Sequence, residues 1–473
     1  MSIRKLTVHA FADDALADHD AVAVAALIRS GEASAQEITA AAMARAGIVN
    51  PAINAIELEN YEQALRHAAL PCAGVFAGVP TFIKDNTDLM GLPSNQGSQA
   101  VNARPARAHG AFAKQFLALG VIPLGKSRMP EFGFNASTEY ADQPPARNPW
   151  HMDYSCGASS GGSAALVAAG VVPIAHANDG GGSTRIPAAA CGLIGLKPTR
   201  GRLVASESAR ALPLNILADG IVSRSVRDTA HFYAGAEKYF RNRKLPLIGH
   251  VESPAKKRLR IGVVFDSIAG IPTDALTRAT VQDTARLLAD MGHHVEEVAL
   301  PVGPGFARDF SIYWGMLSFL VSTFGKRVMS PDFNPAGVDN LSRGLAAHYR
   351  RNVLKTPLVL YRLRKSAQVY ANFFRDWDLV LSPVTAHTTP ELGWLSPAQD
   401  FDRLFDRLLN YVNFTPFNNA AGTPAISLPM GATPQGLPIA VHFSARHGAE
   451  RTLLEIAYEL EEARPWRRIQ DLR

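Results

Sequence analysis

The chain has 473 residues, of which 47% are apolar and 19% charged, and its formal net charge is +6. This length is too great for a small domain and is enough for a large hydrophobic core. The charge excess is small for such a length, so no nucleic-acid partner is expected.

Several other classes are disfavoured by simple counts. The cysteines (Cys72, Cys156 and Cys191) are too few and too scattered for a disulfide framework or a zinc site. No stretch approaches about 18 uncharged apolar residues, so no membrane span is expected. Arg4 and Lys5 are followed by acidic residues rather than by an apolar run, so no signal peptide is predicted and the expected location is the cytoplasm.

The first predicted elements are two helices. Apolar spacing predicts a helix over 21–28 that ends at Gly31, and Ser34 with Glu37 forms a capping-box pattern for the next helix. Further along, the pattern predicts strands at 79–83 and 121–124, a helix at 111–119 between them, a tightly packed helix at 163–169 and a strand at 171–175.

The second half continues this alternation, which indicates an α/β layered architecture. Proline and glycine are spread evenly and no linker or repeat is visible, so a single domain is favoured. The basic stretch 348–365 predicts an amphipathic helix with a solvated basic face. The remaining predicted strands are 193–196, 260–265, 295–300, 379–382, 426–428 and 439–443, and the remaining helices are 225–233, 274–291 and 451–462.

The most informative segment runs from Gly157 to Pro187 and contains two clusters rich in glycine and serine. In the second cluster three glycines, 180–182, directly precede Ser183. Exposed backbone N–H groups of such a turn can converge on a developing oxyanion, and a serine at its end is then a candidate nucleophile. The alternative is a flexible surface loop, but apolar residues flank the turn on both sides.

This segment resembles the signature of the amidase signature family, and in detail the bacterial amidases close to the 6-aminohexanoate cyclic dimer hydrolases. The resemblance covers nearly the whole chain. Two positions depart from the usual pattern: Ala158 replaces a commoner glycine, and Gly180 stands where a larger residue is usual. The matching motifs are Gly-Val-Pro-x-x-x-Lys-Asp at 78–85, Leu-Gly-Lys at 124–126, Met-Pro-Glu-Phe at 129–132, Arg-Asn-Pro-Trp at 147–150, the Gly/Ser clusters, Gly-Leu-Lys-Pro-Thr at 195–199 and Pro-Ala-Ile-Ser-Leu-Pro at 424–429.

The resemblance implies a central mixed β-sheet flanked by α-helices on both sides, in one domain over 1–473. Its parts would be a helical N-terminal part (1–70), a catalytic core (71–240) and the rest of the sheet with the pocket loops (241–473). It implies an amidase that cleaves a carboxylic amide to an acid plus ammonia or an amine through an acyl-enzyme, with no metal or other cofactor.

The resemblance also assigns roles residue by residue. Ser183 is the nucleophile, Ser159 is a bridging serine that follows a cis peptide bond, and Lys84 is the base. Lysine is a base only when neutral, and burial lowers its pKa toward that state. The oxyanion hole is assigned to the N–H groups of Gly180, Gly181, Gly182 and Ser183, with Asp179, Arg185 and Ser160 as supporting groups.

Other residues compete for these roles. His176 lies seven positions before Ser183 but has no evident orienting carboxylate, so it is expected to be structural. Lys126 and Lys197 compete with Lys84 for the role of base; each could be a structural surface lysine, and only the motif ranks them below Lys84. For the pocket we expect a partly aromatic, uncharged lining that includes Met129, Trp314 and Asn419. The expected partner is a small-molecule amide, and a homodimer is a further expectation.

Four alternatives remain open. Gly157–Gly161 matches the Gly-x-Ser-x-Gly nucleophile elbow, as a serine esterase would have, but residues 149–154 before it are turn-like. Cys156 could be the nucleophile of a cysteine amidase, although a buried small residue fits it better. The chain could be the amidotransferase-type subunit of a larger complex. Phosphate binding by 180–182 is disfavoured because no lysine follows in Walker order.

Overall fold

The computed structural model describes residues 6–268 and 270–471, so Arg4 and Lys5 lie outside the described residues. The helices are α1 (Ala21–Ser30), α2 (Ala35–Ile53), α3 (Tyr61–Ala68), α4 (Ala111–Leu117), α5 (Gly161–Ala168), α6 (Arg185–Cys191), α7 (Glu207–Ala211), α8 (Val226–Tyr239), α9 (Ala275–Asp290), α10 (Pro304–Val328), α11 (Asn340–Asn352), α12 (Thr356–Phe373), α13 (Phe401–Tyr411), α14 (Pro416–Ala421) and α15 (Glu450–Ala463).

The strands form one large mixed sheet and two small ones. The large sheet has the order β10-β9-β11-β13-β12-β7-β8-β6, with parallel pairs at the β10 end and antiparallel pairs from β11 to β6. The small sheets are β1-β3-β2 and β4-β5. The strands are β1 (Ile56–Glu59), β2 (Pro80–Lys84), β3 (Ile122–Ser127), β4 (Arg147–Asn148), β5 (His151–Ser155), β6 (Ile174–Asp179), β7 (Ile194–Lys197), β8 (Ala218–Ser223), β9 (Arg260–Val263), β10 (His294–Glu297), β11 (Leu379–Pro383), β12 (Ala425–Ala432) and β13 (Pro438–Ala445).

Helices cover both faces of the large sheet, as the alternation along β13 shows. Val441 and Phe443 point into the main apolar core, which also contains buried residues of α9 and α15. The intervening His442 and Ser444 point the other way, where they bond to Arg185 of α6 and Asn418 of α14. Because successive side chains of a strand face opposite sides, one strand serves both layers.

The N-terminal helices form as the sequence predicts. Ser34 and Glu37 make the reciprocal hydrogen bonds of a capping box at the start of α2, and Gly31 ends α1 with a left-handed φ of 79°. The basic stretch 348–365 is not one continuous helix. It spans α11 and α12, which are joined by a short 3₁₀ turn at Val353–Lys355.

The small sheet β1-β3-β2 meets the large sheet at its edge strand β6. The Thr81 hydroxyl donates to the carbonyl of Ile174 at 2.9 Å, and the main-chain N–H of Lys84 donates to Nδ1 of His176 at 3.2 Å. The strand predicted at 171–175 is β6, which begins later, at Ile174, and extends to Asp179. This junction brings Lys84 close to the loop that follows β6.

Candidate active site

Lys84 is the last residue of β2, a strand whose five residues are all buried, and its side chain is 0% exposed. Its ammonium nitrogen Nζ lies 2.6 Å from the hydroxyl oxygen of Ser159 and 2.7 Å from Oδ1 of Asn178. These are the distances of strong hydrogen bonds. A strand end therefore holds an amine against a serine hydroxyl in the interior of the protein.

The environment of Lys84 lowers the pKa of its amine to about 7. Burial is the main cause because it disfavours the charged form, and the carboxylates of Asp179 and Asp219 partly oppose it. An amine with this pKa is neutral in a large fraction of molecules near neutral pH. It can therefore accept a proton.

Ser159 lies in the turn between β5 and α5, and the Ala158–Ser159 peptide bond is cis. Gly157 has a φ of 73°, and a Cβ atom there would lie 2.6 Å from Cα of Pro187, so the turn requires glycine. Above the serine, a Cβ on Gly133 would come within 3.0 Å of the Ser159 hydroxyl oxygen. Ser159 is consequently enclosed by two glycine-dependent loops and is 3% exposed.

Ser160 connects this turn to the loop after β6. Its main-chain N–H donates to the carbonyl oxygen of Ser183 at 3.3 Å, while its hydroxyl donates to the carbonyl of Asn178 at 3.3 Å. The turn with Ser159 and the loop with Ser183 therefore lie side by side, and the supporting role of Ser160 stays a prediction.

The loop between β6 and α6 contains the three glycines and Ser183. Among the described residues, the N–H groups of Gly180, Gly181 and Ser183 donate to no acceptor. The N–H of Gly182 differs from the prediction, because it already donates to Oδ1 of Asp179 at 2.7 Å. Gly182 has a φ of 138°, a backbone conformation that favours glycine at this position.

Asp179 and Arg185 form a fully buried bidentate ion pair that fixes this loop, with nitrogen–oxygen distances of 2.8 and 2.9 Å. Burial alone would raise the pKa of Asp179, but Arg185 holds that pKa well below its usual range. Asp179 also accepts from the N–H of Thr184 at 3.2 Å. The other partners of the Arg185 guanidinium are the Thr415 carbonyl, Asn418, Asn419 and His442.

The three residues expected to line the pocket lie in separate surroundings in the structure. Asn419 is 1% exposed, and its amide bonds to Asp179 and Arg185, so it belongs to the ion-pair network instead of the pocket. Met129 is fully buried behind Gly133, whose Cβ position is 3.5 Å from the Met129 methyl carbon. Trp314 is half-buried and stacks on Phe405.

His176 has the orienting carboxylate that the sequence did not reveal. Its Nε2 lies 3.4 Å from Asp219 on the neighbouring strand β8, while its Nδ1 accepts the main-chain N–H of Lys84. Both ring nitrogens are thus occupied, and burial lowers the pKa of the imidazole. The ring accepts a hydrogen bond from the backbone of Lys84 and forms none with Ser159, and its structural role stays a prediction.

Lys126 and Lys197 were considered as surface lysines, and this interpretation is wrong because both are at most 1% exposed. The Lys126 amine donates to Ser94 at 2.6 Å and lies 3.4 Å from Asp85, and the Lys197 amine donates to the carbonyl of Pro198. Neither amine bonds to Ser159 or Ser183.

The two rival nucleophile sites also have clear geometries. The segment before the Gly-x-Ser-x-Gly motif is not only a turn, because β5 (His151–Ser155) occupies it. Ser159 nevertheless has Lys84, not a histidine, as its partner. Cys156 is fully buried, and burial raises the pKa of its thiol to about 12, so it is a poor source of thiolate.

Sequence reasoning missed Asn178, which holds the Lys84 amine together with Ser159. A signal was present: His176 and Asn178 are two residues apart in a strand and must share a face, and that face contacts β2. Asp219 could not be found in this way, because it lies on a different strand with no motif of its own.

Within residues 6–268 and 270–471, no group of three or more His, Cys, Asp or Glu side chains is placed to hold a metal ion. No helix in that part of the chain combines the length and apolar character that crossing a bilayer requires.

A mixed sheet with helices on both faces, a buried lysine–serine pair and a glycine-rich loop ending in serine define a class of α/β protein with hydrolase-like chemistry. The sequence model of the Amidase family matches residues 37–454, and the chain belongs to this family.

Individual relatives agree with this assignment. AmiC of Mycobacterium leprae, which carries a provisional assignment as an amidase, is 47% identical over 98% of this chain and 99% of its own length. The 6-aminohexanoate-cyclic-dimer hydrolase of Pseudomonas sp. (strain NK87) is 34% identical over 94% and 95%. A solved structure of a 6-aminohexanoate cyclic dimer hydrolase with its substrate has a TM-score of 0.85 at 31% identity, covering 96% of this chain and 98% of that one.

Proposed function

We propose that this chain is an amidase that hydrolyses a carboxylic amide to an acid plus ammonia or an amine, with Ser183 as nucleophile, Ser159 as proton bridge and Lys84 as base. Membership of the amidase family and the amide-hydrolase relatives support the reaction class. The observation that carries the assignment of roles is the 2.6 Å contact between the Lys84 amine and the Ser159 hydroxyl, together with the pKa of about 7.

In the first step the neutral Lys84 amine takes the proton of Ser159 while Ser159 takes the proton of Ser183. The Ser183 oxygen attacks the carbonyl carbon, and the carbonyl oxygen becomes an oxyanion. We assign its stabilisation to the N–H groups of Gly180, Gly181 and Ser183, which have no other acceptor among the described residues. In other hydrolases one such donor contributes about 2.7–4 kcal/mol.

In the second step the carbon–nitrogen bond breaks, and the protonated Lys84 returns its proton through Ser159 to the leaving nitrogen. This leaves an acyl-enzyme ester on Ser183. A water molecule then loses a proton to the same relay and attacks the ester carbon. The acid leaves as the Ser183 oxygen regains its proton, so the relay finishes in its starting state.

The nucleophile can be tested by covalent labelling. A fluorophosphonate probe should phosphonylate Ser183, with the adduct located by intact mass and peptide mapping, and the Ser183→Ala variant should not react. Label on Ser159 would support the nucleophile-elbow interpretation instead. Loss of activity with iodoacetamide through Cys156 would support a cysteine amidase, and either result would overturn the proposal.

A further inference from the structure

The three glycines before Ser183 have different neighbours. Gly182 must be glycine because its φ is 138° and a Cβ would lie 2.4 Å from the Thr415 hydroxyl. Gly180 and Gly181 do not have left-handed φ angles and are half-buried. At these two positions a larger residue is therefore limited by the neighbouring side chains and not by the backbone conformation.

Two apolar side chains adjoin these glycines. A Cβ on Gly180 would lie 2.9 Å from a methyl carbon of Leu217, and a Cβ on Gly181 would lie 3.7 Å from the ring of Phe310. Leu217 precedes β8 and Phe310 lies on α10, and both are half-buried. The two side chains therefore come from different elements and each adjoins one of the glycines.

Main-chain hydrogen bonds fix the segment that carries Leu217. The N–H of Leu217 donates to Asn215 at 2.9 Å, and the carbonyl of Ile216 beside it accepts from Asn419, which also bonds to Asp179. The segment of Leu217 is thus tied to the ion-pair network that shapes the loop.

Phe310 is fixed in a similar way. It stacks on Phe306, which packs edge-on against Phe417, with ring centroids 5.9 and 5.3 Å apart. The hydroxyl of Tyr313, one turn further along α10, donates to the carbonyl of Leu214 at 2.5 Å. This bond joins α10 to the segment that carries Leu217.

We infer that Leu217 and Phe310 form the apolar wall of the substrate subsite beside the scissile carbonyl, and that the preferred substrates carry an uncharged, apolar group there. A carbonyl that reaches Ser183 and the N–H groups of the loop must place a substituent next to this wall. A charged substituent would lose its hydration there without gaining a partner from either side chain. The inference rests on the proposed function and names its substrate class.

The wall makes a prediction for position 180, where an added methyl group would meet the end of the Leu217 side chain. A side chain there would compete for the space that Leu217 fills, so Gly180 and Leu217 act as a complementary pair. Gly180→Ala should lower kcat/KM about tenfold through overpacking. On a hexanoyl p-nitroanilide, toward which Leu217→Ala shifts the preference, the double variant Gly180→Ala/Leu217→Ala should recover most of that loss, because the competing methyl group of Leu217 is gone.

The specificity is measured with p-nitroanilides of acetic, butanoic, hexanoic and succinic acid. The wild type should prefer butanoyl over succinyl by at least about tenfold in kcat/KM. Leu217→Ala and Phe310→Ala should each lose about tenfold on the shorter acyl groups and shift the preference toward the hexanoyl substrate. Leu247→Ala, at an exposed leucine, is the matched control and should keep the wild-type order.

Preference for succinyl, an unchanged acyl order in Leu217→Ala and Phe310→Ala, or no recovery in the double variant would overturn the inference. Labelling of Ser183 separates this failure from that of the proposed function. A protein that is labelled at Ser183 but keeps its acyl order refutes only the wall, whereas a protein that is not labelled refutes the nucleophile itself.

Discussion

Lys84 and Lys197 are buried lysines whose pKa is lowered to about 7, in both cases chiefly by burial. Their contacts differ. The Lys84 amine bonds to a serine hydroxyl, whereas the Lys197 amine donates to the carbonyl of Pro198. A shifted pKa alone therefore does not identify the base, and only the contact with Ser159 distinguishes the two residues.

The protonation state of Lys84 predicts how activity depends on pH. Since the neutral amine is the active form, kcat/KM should rise about tenfold per pH unit below the Lys84 pKa of about 7 and level off above it. Lys84→Met, which keeps the apolar stem, should lower kcat by about 10²–10⁴-fold. The measurement is a pH–rate profile on an uncharged amide.

Lys197→Met is the matched control, because it removes the other lysine with a pKa near 7. The variant should keep the rise in kcat/KM. If the rise disappears in Lys197→Met, or if wild-type activity falls as the pH increases through 7, Lys84 is not the base.

The element that covers Ser159 is the short loop from Met129 to Phe134. Within it Glu131 is buried, accepts hydrogen bonds from the Ser98 hydroxyl at 2.7 Å and from the N–H of Asp339 at 2.9 Å, and lies near the Asp339 carboxylate. Asp339 caps α11, so Glu131 connects the loop to that helix. Burial and the Asp339 charge raise the pKa of Glu131 to about 8.

Because the pKa of Glu131 is raised on folding, its contribution to the free energy of unfolding decreases as the pH rises. Between the usual glutamate pKa of about 4.3 and about 8, the folded protein keeps a proton on Glu131 that the unfolded chain has lost. The stability contributed by this group is therefore complete below the lower value and declines as the pH rises to about 8. Glu131→Gln, which mimics the protonated acid, should raise the Tm relative to wild type at about pH 9 but not at about pH 5.

The comparison is made by calorimetry at both pH values, with Glu32→Gln at an exposed carboxylate as control. A Tm gain of equal size at both pH values, or a gain of the same size in the control, would show that Glu131 does not carry the effect.

The same elements show how far the sequence predicts the structure. Strand and helix positions followed from local patterns: the capping box of Ser34 and Glu37 is present, and β2, β6 and β7 lie within a few residues of their predictions. Features that depend on residues far apart in sequence were not predictable. Asp219 reaches His176 from another strand, and Asn419 is drawn into the Asp179–Arg185 pair from a helix more than two hundred positions away.

The burial of charged side chains was also not predicted from the sequence. A lysine is usually exposed, so Lys126 and Lys197 were interpreted as surface residues. The partners of Lys126 are Ser94 and Asp85, which lie more than thirty positions away in the sequence, whereas Lys197 donates to the carbonyl of the next residue, Pro198, and is buried in the large sheet. By contrast, the motif rather than any periodicity pointed to Lys84, Ser159 and Ser183.

At the scale of the whole molecule, the candidate site is assembled entirely from one chain. β2 supplies the lysine, the turn before α5 supplies Ser159, and the loop between β6 and α6 supplies Ser183 and the free N–H groups. Lys84 ends a strand of the sheet β1-β3-β2, whereas Ser159 follows β5 of the two-stranded sheet, so parts of the chain far apart in sequence must assemble before the two residues meet.

Because no group of the proposed relay comes from elsewhere, the purified chain should hydrolyse amides without a partner subunit. Its specific activity should stay constant when the enzyme is diluted through the range in which light scattering detects any change from dimer to monomer. If the chain forms a dimer whose interface contributes no residue to the site, dilution should separate the two chains without loss of turnover. Dilution breaks contacts between chains and leaves the Lys84–Ser159 hydrogen bond intact. Specific activity that falls in step with dissociation, or that appears only after a second protein is added, would mean that the site is completed by another chain, as in an amidotransferase-type complex.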